Sequence, residues 1–535
     1  MVSFGTSSRP CPKTPGNPTT SVLTHPGSIP MLRRAKGDVM TLNPQLDHFM
    51  SAFPHEGLTF DDVSLIARYA DFLPPEADIA SRFTARVPIN IPFVSAAMDT
   101  VTEAKMAIAM ALHGGIGVIH KNLTPQRQAS IVGTVKHYLN GLISTPITFH
   151  VGQTLADVRR TREEKGYNFS GFPILDDQDR LVGILTAADI KFAADASAKI
   201  EDVMTRNLIT APPGTDIETA YQRMVEHKIG KLPLVENGKL VGLYSFADVQ
   251  SLIRNVNPTY NRDAKYRLRV AAAIGPGDHK RVEALAERDI DVVVIDTAHG
   301  HSKGVVDMVK WVRAHYDNLD VVAGNIATGE AAVALRDAGA HAVKVGIGPG
   351  SICTTRVVTG VGTPQISAIY DVVKALEDSI PVIADGGIRY SGDVAKALVA
   401  GASTVMMGSV LAGTEESPGE KIIYQGRQYV VYRGMGSLGA MKSNQGSRER
   451  YGQKDVGTDD LVPQGIEGMI PFAGTLKQVI TQFAGGLRAS MGFIGCRTID
   501  DVRRHARFIR ITASGNAEGH PHNITITKEA PNYRS

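Results

Sequence analysis

The chain is poor in cysteine. Its 535 residues hold three, Cys11, Cys353 and Cys496. An odd number of thiols spaced so far apart excludes a disulfide framework and suits a reducing, cytoplasmic compartment. Charge of one sign is lacking too. The formal net charge is +3, so no global basic field argues for nucleic acid. No apolar run approaches the roughly 18 residues of a membrane span. Acidic residues are absent before Asp38, and residues 1–40 are rich in Pro, Ser, Thr and Gly without a continuous apolar core. That excludes an ordinary secretory signal, and the prolines oppose an amphipathic transit helix. Residues 1–50 read as a disordered extension, with Met31 and Met40 as alternative starts.

What is present is a strand–helix rhythm. The length asks for two domains plus tails. Ile91 to Asp99 reads as a strand ending in small residues, Glu103 to His113 as a helix, and Gly115 to His120 as a second strand. Six more strand-like runs follow: 269–274, 291–296, 320–325, 342–346, 381–387 and 404–409. Helical text separates them, as at Ala331 to Ala338 and Gly392 to Val399. Eight parallel strands with helices between them predict an α/β fold, a (β/α)8 TIM barrel with active-site groups at the C-terminal strand ends. A doubly wound sheet fits less well, because no Gly-x-Gly-x-x-Gly follows the first strand. The barrel is interrupted. Between about Gly141 and Asn257 an internal repeat occurs: Gly171 to Ile190 and Lys231 to Val249 each carry a strand pair, then Gly-x-x-Ser/Thr-x-x-Asp opening a helix. The predicted divisions are 51–140 and 258–511 for the barrel, 141–257 for the insertion and 512–535 for a C-terminal segment. A Gly-, Ser- and charge-rich tract at about 432–474 is too long for an ordinary loop, and a helix follows it at Leu476 to Ser490.

Three clusters carry chemistry. After the strand Ala342-Val343-Lys344-Val345, three glycines and a proline force a tight turn, Gly346-Ile347-Gly348-Pro349-Gly350, with Ser351-Ile352-Cys353-Thr354-Thr355-Arg356 beyond it. A cysteine presented on such a loop is a candidate nucleophile; the alternative is a buried small residue. Asp385-Gly386-Gly387 ends the seventh strand and Gly408-Ser409 the eighth, where barrels often bind phosphate. Glycine amides and a hydroxyl suit phosphate oxygens, whereas Asp385 suits a ribose diol. In the repeat, Thr186 and Asp189, and Ser245 and Asp248, either cap helices or meet a nucleotide.

The cysteine string, with Val361-Gly362-Thr363-Pro364-Gln365 after it, resembles the catalytic loop of inosine monophosphate (IMP) dehydrogenases and their relatives the GMP reductases. The resemblance covers about residues 55 to 535. It implies oxidation of IMP with NAD, in which the Cys353 thiolate attacks the purine, hydride leaves to NAD and water releases xanthosine monophosphate. It implies an IMP site of Ser351, Asp385, Gly386, Gly387, Gly408, Ser409 and Tyr432, with Gly434, Met435, Gly436, Gln464 and Met98 about the base. Asp296, Thr297, Asn325, Gly346 and Gly348 would receive NAD, although Asp296 alone equally reads as a helix cap. Ser447-Arg448-Glu449-Arg450-Tyr451 resembles the family's mobile flap. Its Arg450 and Tyr451 would activate the water, although an arginine is an unusual base. Many microbial members carry glutamate at Gln464, paired with the residue matching Thr355. Glutamine accepts no proton in that way, so Thr355 should have no such relay. The resemblance further implies potassium on the carbonyls of Gly348, Gly350 and Cys353, completed by Glu518-Gly519-His520 of a neighbouring subunit, in a homotetramer or octamer. The repeat resembles a tandem pair of CBS modules, which implies a purine nucleotide effector such as ATP or GTP at Thr186, Asp189, Ser245 and Asp248. Two rivals stand: a GMP reductase, which would not need the flap, and a nucleotide sensor with an inactive barrel.

Overall fold

The computed structural model describes residues 43–54, 56–138, 141–143, 146–165, 171–192, 195 and 197–533. Cys11, Met31, Met40 and most of the expected N-terminal extension lie outside the described residues. The end of that extension is a correction. Pro44–Ser51 is a helix, with Pro at its start and the Asn43 side chain accepting from the amides of Gln45 and Leu46. Leu46 and Met50, one turn apart, are buried, and Asn43 donates to the Ala506 carbonyl at 2.7 Å. Apolar anchoring at i, i+4 orders a stretch that composition alone assigns to disorder.

Eight parallel strands close a barrel in chain order: β1 Phe93–Ser95, β2 Ile116–Ile119, β3 Ala271–Ile274, β4 Val292–Asp296, β5 Asp320–Ile326, β6 Ala342–Val345, β7 Val382–Asp385 and β8 Thr404–Met407. Closure is made by β8 pairing with β1, Val405 opposite Phe93. The outer helices are α1 Ala104–Leu112, α2 Pro125–His137, α3 His279–Ala286, α4 Lys303–His315, α5 Gly329–Asp337, α6 Gln365–Leu376, α7 Ser391–Val399 and α8 Leu476–Ile494. The last outruns the expected end at Ser490, because its stop is Gly495 at φ +64°.

Period-two alternation sorts the strands. Val94, Val118, Ala273, Val294, Val322 and Ile383 fill the lumen, while Phe93, Val293, Ile295, Val343 and Val345 face the helices. The same alternation carries polar residues into the lumen near its top. Val292 and Val294 lead to Asp296, Ala342 leads to Lys344, and Ile383 leads to Asp385. The mouth is therefore lined by residues in step with apolar ones below them.

Residues 141–257 leave the barrel after α2. One half pairs Phe149–His150, Phe172–Leu175 and Leu181–Leu185; the other pairs Lys231–Glu236 and Lys239–Ser245 with Leu142–Ile143. Each half has its own apolar core, around Phe172 and Leu185 or around Leu232 and Tyr244, separate from the barrel's. Beyond β8, residues 432–474 are not one long loop. They hold the end of the strand Arg427–Arg433, the helices Leu438–Ser443 and Gln445–Arg450, and the strand Glu467–Pro471. Among the described residues no helix is long and apolar enough to cross a membrane.

Because the insertion's cores are its own, replacing residues 141–257 with a short linker should leave a barrel that unfolds cooperatively by circular dichroism. A chain that fails to fold would show that the insertion braces the barrel.

Candidate active site

The cysteine loop is shaped by glycine and pinned by backbone. Gly346 and Gly348 lie at φ +152° and +78°, and a Cβ on Gly348 would come within 2.5 Å of the Arg356 Cγ. Arg356 braces the loop, its Nε donating to the Ile347 carbonyl at 3.0 Å and its Nη2 to Thr363 at 2.6 Å. The Cys353 amide donates to Gly350 at 3.0 Å. A distant segment then pairs with the loop: the Ile466 amide donates to Ile352 at 3.0 Å, and the Thr354 amide to the Gln464 carbonyl at 3.2 Å. The half-buried thiol donates to Thr355 Oγ1 at 3.1 Å and lies 3.7 Å from the Gln464 carbonyl. It is the backbone of Gln464 that approaches the cysteine.

Beside the loop is a buried charge cluster. Lys344, only 1% exposed, has its Nζ 2.9 Å from Asp296 Oδ1 and 2.6 Å from Asp385 Oδ2. It also donates to Asn325 Oδ1, while Asn325 Nδ2 donates to Asp385 at 2.9 Å and to the Gly346 carbonyl at 2.8 Å. A buried lysine is tolerated because carboxylates surround it. The sequence reading placed Lys344 in a buried strand and assigned it no role. Its signal was the period-two step shared with Asp296 and Asp385.

The opposite wall is built for an anion and a flat apolar group. Gly386 and Gly387, at φ +91° and +84°, expose backbone there, with Gly408, Ser409 and Ser351 on the same pocket. Tyr432 is buried; burial pushes its hydroxyl well above the ordinary phenol range, with Ser351 opposing. Its Oη donates to Met98 Sδ at 3.7 Å. Gly434 and Met435 line the same pocket, whereas Gly436 is covered by Tyr451, whose Cζ a Cβ would meet at 2.6 Å.

The helix Gln445–Arg450 lies over this mouth. The Arg450 guanidinium forms an ion pair with Asp296, sits 6.0 Å from the centre of the Tyr451 ring, and keeps its Nε buried without an acceptor among the described residues. Burial raises the Tyr451 hydroxyl, against the pull of Arg450. The carbonyl of Arg450 accepts from the Ala298 amide at 3.1 Å.

The pocket thus gathers Cys353, Ser351, Met98, Asp296, Asn325, Gly346, Gly348, Gly350, Asp385, Gly386, Gly387, Gly408, Ser409, Tyr432, Gly434, Met435, Arg450, Tyr451 and Gln464. Thr355 stands behind the thiol. Thr297 is buried, with its hydroxyl spent on the Gly324 carbonyl at 2.8 Å. The carbonyls of Gly348 and Cys353 accept no hydrogen bond among the described residues, while that of Gly350 takes the Cys353 amide. Such unpaired oxygens fit a hard cation. Glu518, Gly519 and His520 lie elsewhere in this chain: the helix Ala513–Glu518 packs on Phe60–Asp62, and His520 Nδ1 is 2.9 Å from Tyr533 Oη. In the insertion, Thr186 and Asp189 cap each other, the Thr186 amide donating to Asp189 at 2.7 Å and the Asp189 amide to Thr186 at 3.3 Å. Thr186 and Ser245 line one cleft of about 660 Å³ between the two halves, with Lys231 on its wall. The Ser245 side chain makes no cap, and the Asp248 charge is felt at Lys231, whose burial lowers its ammonium.

The chain is similar to inosine-5'-monophosphate dehydrogenases of Halalkalibacterium halodurans, 51% identical over 90% of this chain and 99% of that one, and of Haemophilus influenzae, 51% identical over 90% and 98%. It is similar in structure to a GMP reductase variant from Trypanosoma brucei in complex with guanosine 5'-monophosphate, at a TM-score of 0.75 and 36% identity over 89% of this chain and all of that one. The family model described as the IMP dehydrogenase / GMP reductase domain matches residues 57–522. With the half-buried thiol, the glycine-lined wall and the docked arginine already in place, the chain belongs to the IMP dehydrogenase / GMP reductase family.

Proposed function

We propose that the protein oxidises IMP to xanthosine 5'-monophosphate with NAD, the step that commits IMP to guanine nucleotides. The observation that carries this reading is the pairing of Arg450 with Asp296 above Cys353. A nucleophile and a removable cationic flap then share one mouth. A GMP reductase would need the thiol but no water-activating group.

The chain's residues divide the work. Gly386, Gly387, Gly408, Ser409, Ser351 and Tyr432 hold the phosphate; Asp385, oriented by Lys344 and Asn325, takes the ribose hydroxyls. Met98, Met435 and the backbone at Gly434 and Gln464 place the purine. The Cys353 thiol, hydrogen-bonded to Thr355 Oγ1, loses its proton to solvent and adds to C2 as the thiolate. Asp296 and Asn325 would hold NAD, which would supply the acceptor for the hydride leaving C2. A thioimidate remains on Cys353. Water adds to it and the C–S bond breaks, the water's proton going to an Arg450 that has first given its own to solvent, with the Tyr451 ring beside it. Asp296 serves in both stages, so the flap and NAD occupy it in turn. Thr355 has no carboxylate partner in Gln464, which leaves Arg450 as the base.

Potassium fits the free carbonyls of Gly348 and Cys353, with Gly350 beside them. Glu518 to His520 would have to come from a neighbouring subunit of a tetramer or octamer. The insertion is read as a CBS pair, with the cleft at Thr186 and Ser245 as its ATP or GTP site; the mutual caps of Thr186 and Asp189 would have to open for it. Free Cys353 and Cys496 suit the cytoplasm.

Cys353→Ser should abolish NADH formation from IMP and NAD yet keep IMP binding by calorimetry; an intact rate removes Cys353 from the mechanism. Arg450→Ala should give a burst near one NADH per site and then stall, with purine mass on the Cys353 peptide. General-base help is worth about 10² to 10⁴ in rate, so near-normal turnover without a burst would exclude Arg450 as the base. Turnover should rise with K⁺ and be poorly supported by Na⁺ or Li⁺. Equal rates in the three salts at matched ionic strength contradict the carbonyl site. GMP with NADPH should give no reaction.

A further inference from the structure

Several charged groups beside the flap have no part in that chemistry. Lys121 follows β2 at the barrel mouth and is 3% exposed. Its Nζ lies 2.9 Å from Glu449 Oε2 and 3.4 Å from Asp278 Oδ2. Asp278 is already committed, accepting from the Gly275 amide at 2.8 Å and pairing with Arg281 Nε at 3.2 Å. Glu449 is the partner on the helix that carries Arg450. Its other oxygen takes Lys454 at 2.9 Å, but Lys454 is 56% exposed and belongs to the same tract, so it ties nothing to the barrel. Burial works to raise the Glu449 carboxyl; Lys121 and then Lys454 outweigh it and hold it below the ordinary range.

Packing converges on the same spot. A Cβ on Gly446 would meet the Lys121 carbonyl at 2.6 Å, and Ser447 is fully buried. Asn122, next in the chain, donates to Ser443 Oγ at 3.1 Å and to Asp99 Oδ2 at 2.8 Å. Beside Arg450–Asp296, the Lys121–Glu449 pair is a second charged contact between the barrel and the helix Gln445–Arg450, and its Lys121 end is shielded from water, where an ion pair matters most when one member is lost.

We propose that Lys121 is a positioning residue: through Glu449 it latches the helix Gln445–Arg450 onto the barrel mouth and so sets how long Arg450 stays on Asp296. The latch deepens the reading of Arg450 given above and rests on it for its kinetic effect, though not for the docking itself.

The test uses the full-length enzyme and four variants: Lys121→Met, Glu449→Gln, the double variant and Lys454→Met. Hydrogen exchange is read over residues 445–451 without ligand; kcat and the KM for NAD are read at saturating IMP. Lys121→Met and Glu449→Gln should each speed exchange there by about tenfold or more, with exchange in the barrel strands unchanged. Both should lower the KM for NAD, because the competitor for Asp296 is looser, and lower kcat, because Arg450 is absent for longer. The double variant should be no worse than either single one. Lys454→Met should change exchange by less than about twofold. Unchanged exchange in both single variants, or additive effects in the double, would overturn the latch. Faster exchange with kcat and KM both unmoved would leave the docking in place and overturn the assignment of Arg450 instead.

Discussion

A single buried carboxylate, Asp296, holds two cations of different kinds. Lys344 approaches one oxygen at 2.9 Å from inside the barrel and cannot leave, being fixed on β6 and 1% exposed. Arg450 approaches the other from the helix Gln445–Arg450, outside the wall. Removing a partner from a shielded charge is costly unless another partner replaces it. Asp296 therefore favours an occupied second position, which is the physical basis of the proposed alternation of flap and NAD. The lysine also ties Asp296 to Asp385, so the two carboxylates at the mouth share one fixed charge.

Around this cluster the fold does mostly passive work. The lumen below is packed with Val, Ile and Ala, which fixes the strand ends and carries Asp296, Lys344 and Asp385 to the mouth in step with them. The cysteine loop gains its shape from Gly346 and Gly348 and its rigidity from Arg356. It is then clamped by backbone pairing with residues 464–466, which belong to the same excursion as the flap. The cysteine loop is thus joined by main-chain hydrogen bonds to the same excursion of chain that carries the arginine.

Much of this was legible in the sequence. The barrel strands stand out as apolar runs ending in polar or glycine clusters, and the cysteine string is long and specific. What was not legible depends on register between distant segments. Lys344 sat inside a run read as buried strand, and only the count from Asp296 and Asp385 places all three in one lumen. The pairing of Gln464 with Thr354 joins residues 110 apart, so the side chain drew attention while the backbone makes the contact. Lys121 and Glu449 lie 328 residues apart, and nothing local in the sequence pairs them. Pro44–Ser51 was lost in a disordered composition because two anchors, Leu46 and Met50, suffice. Residues 518–520 carry a short motif whose contacts within this chain run to Tyr533 and the Phe60–Asp62 helix.

The central claim is that Arg450 and the dinucleotide compete for Asp296. Calorimetric titration of a non-reacting NAD analogue into the IMP-loaded enzyme tests it most directly, with wild type and Arg450→Ala compared at the same salt. If the guanidinium must be displaced before the cofactor binds, the variant binds the analogue more tightly than wild type. Equal or weaker binding by the variant would mean that the two do not share the carboxylate, and the account of one site used in two stages would be wrong.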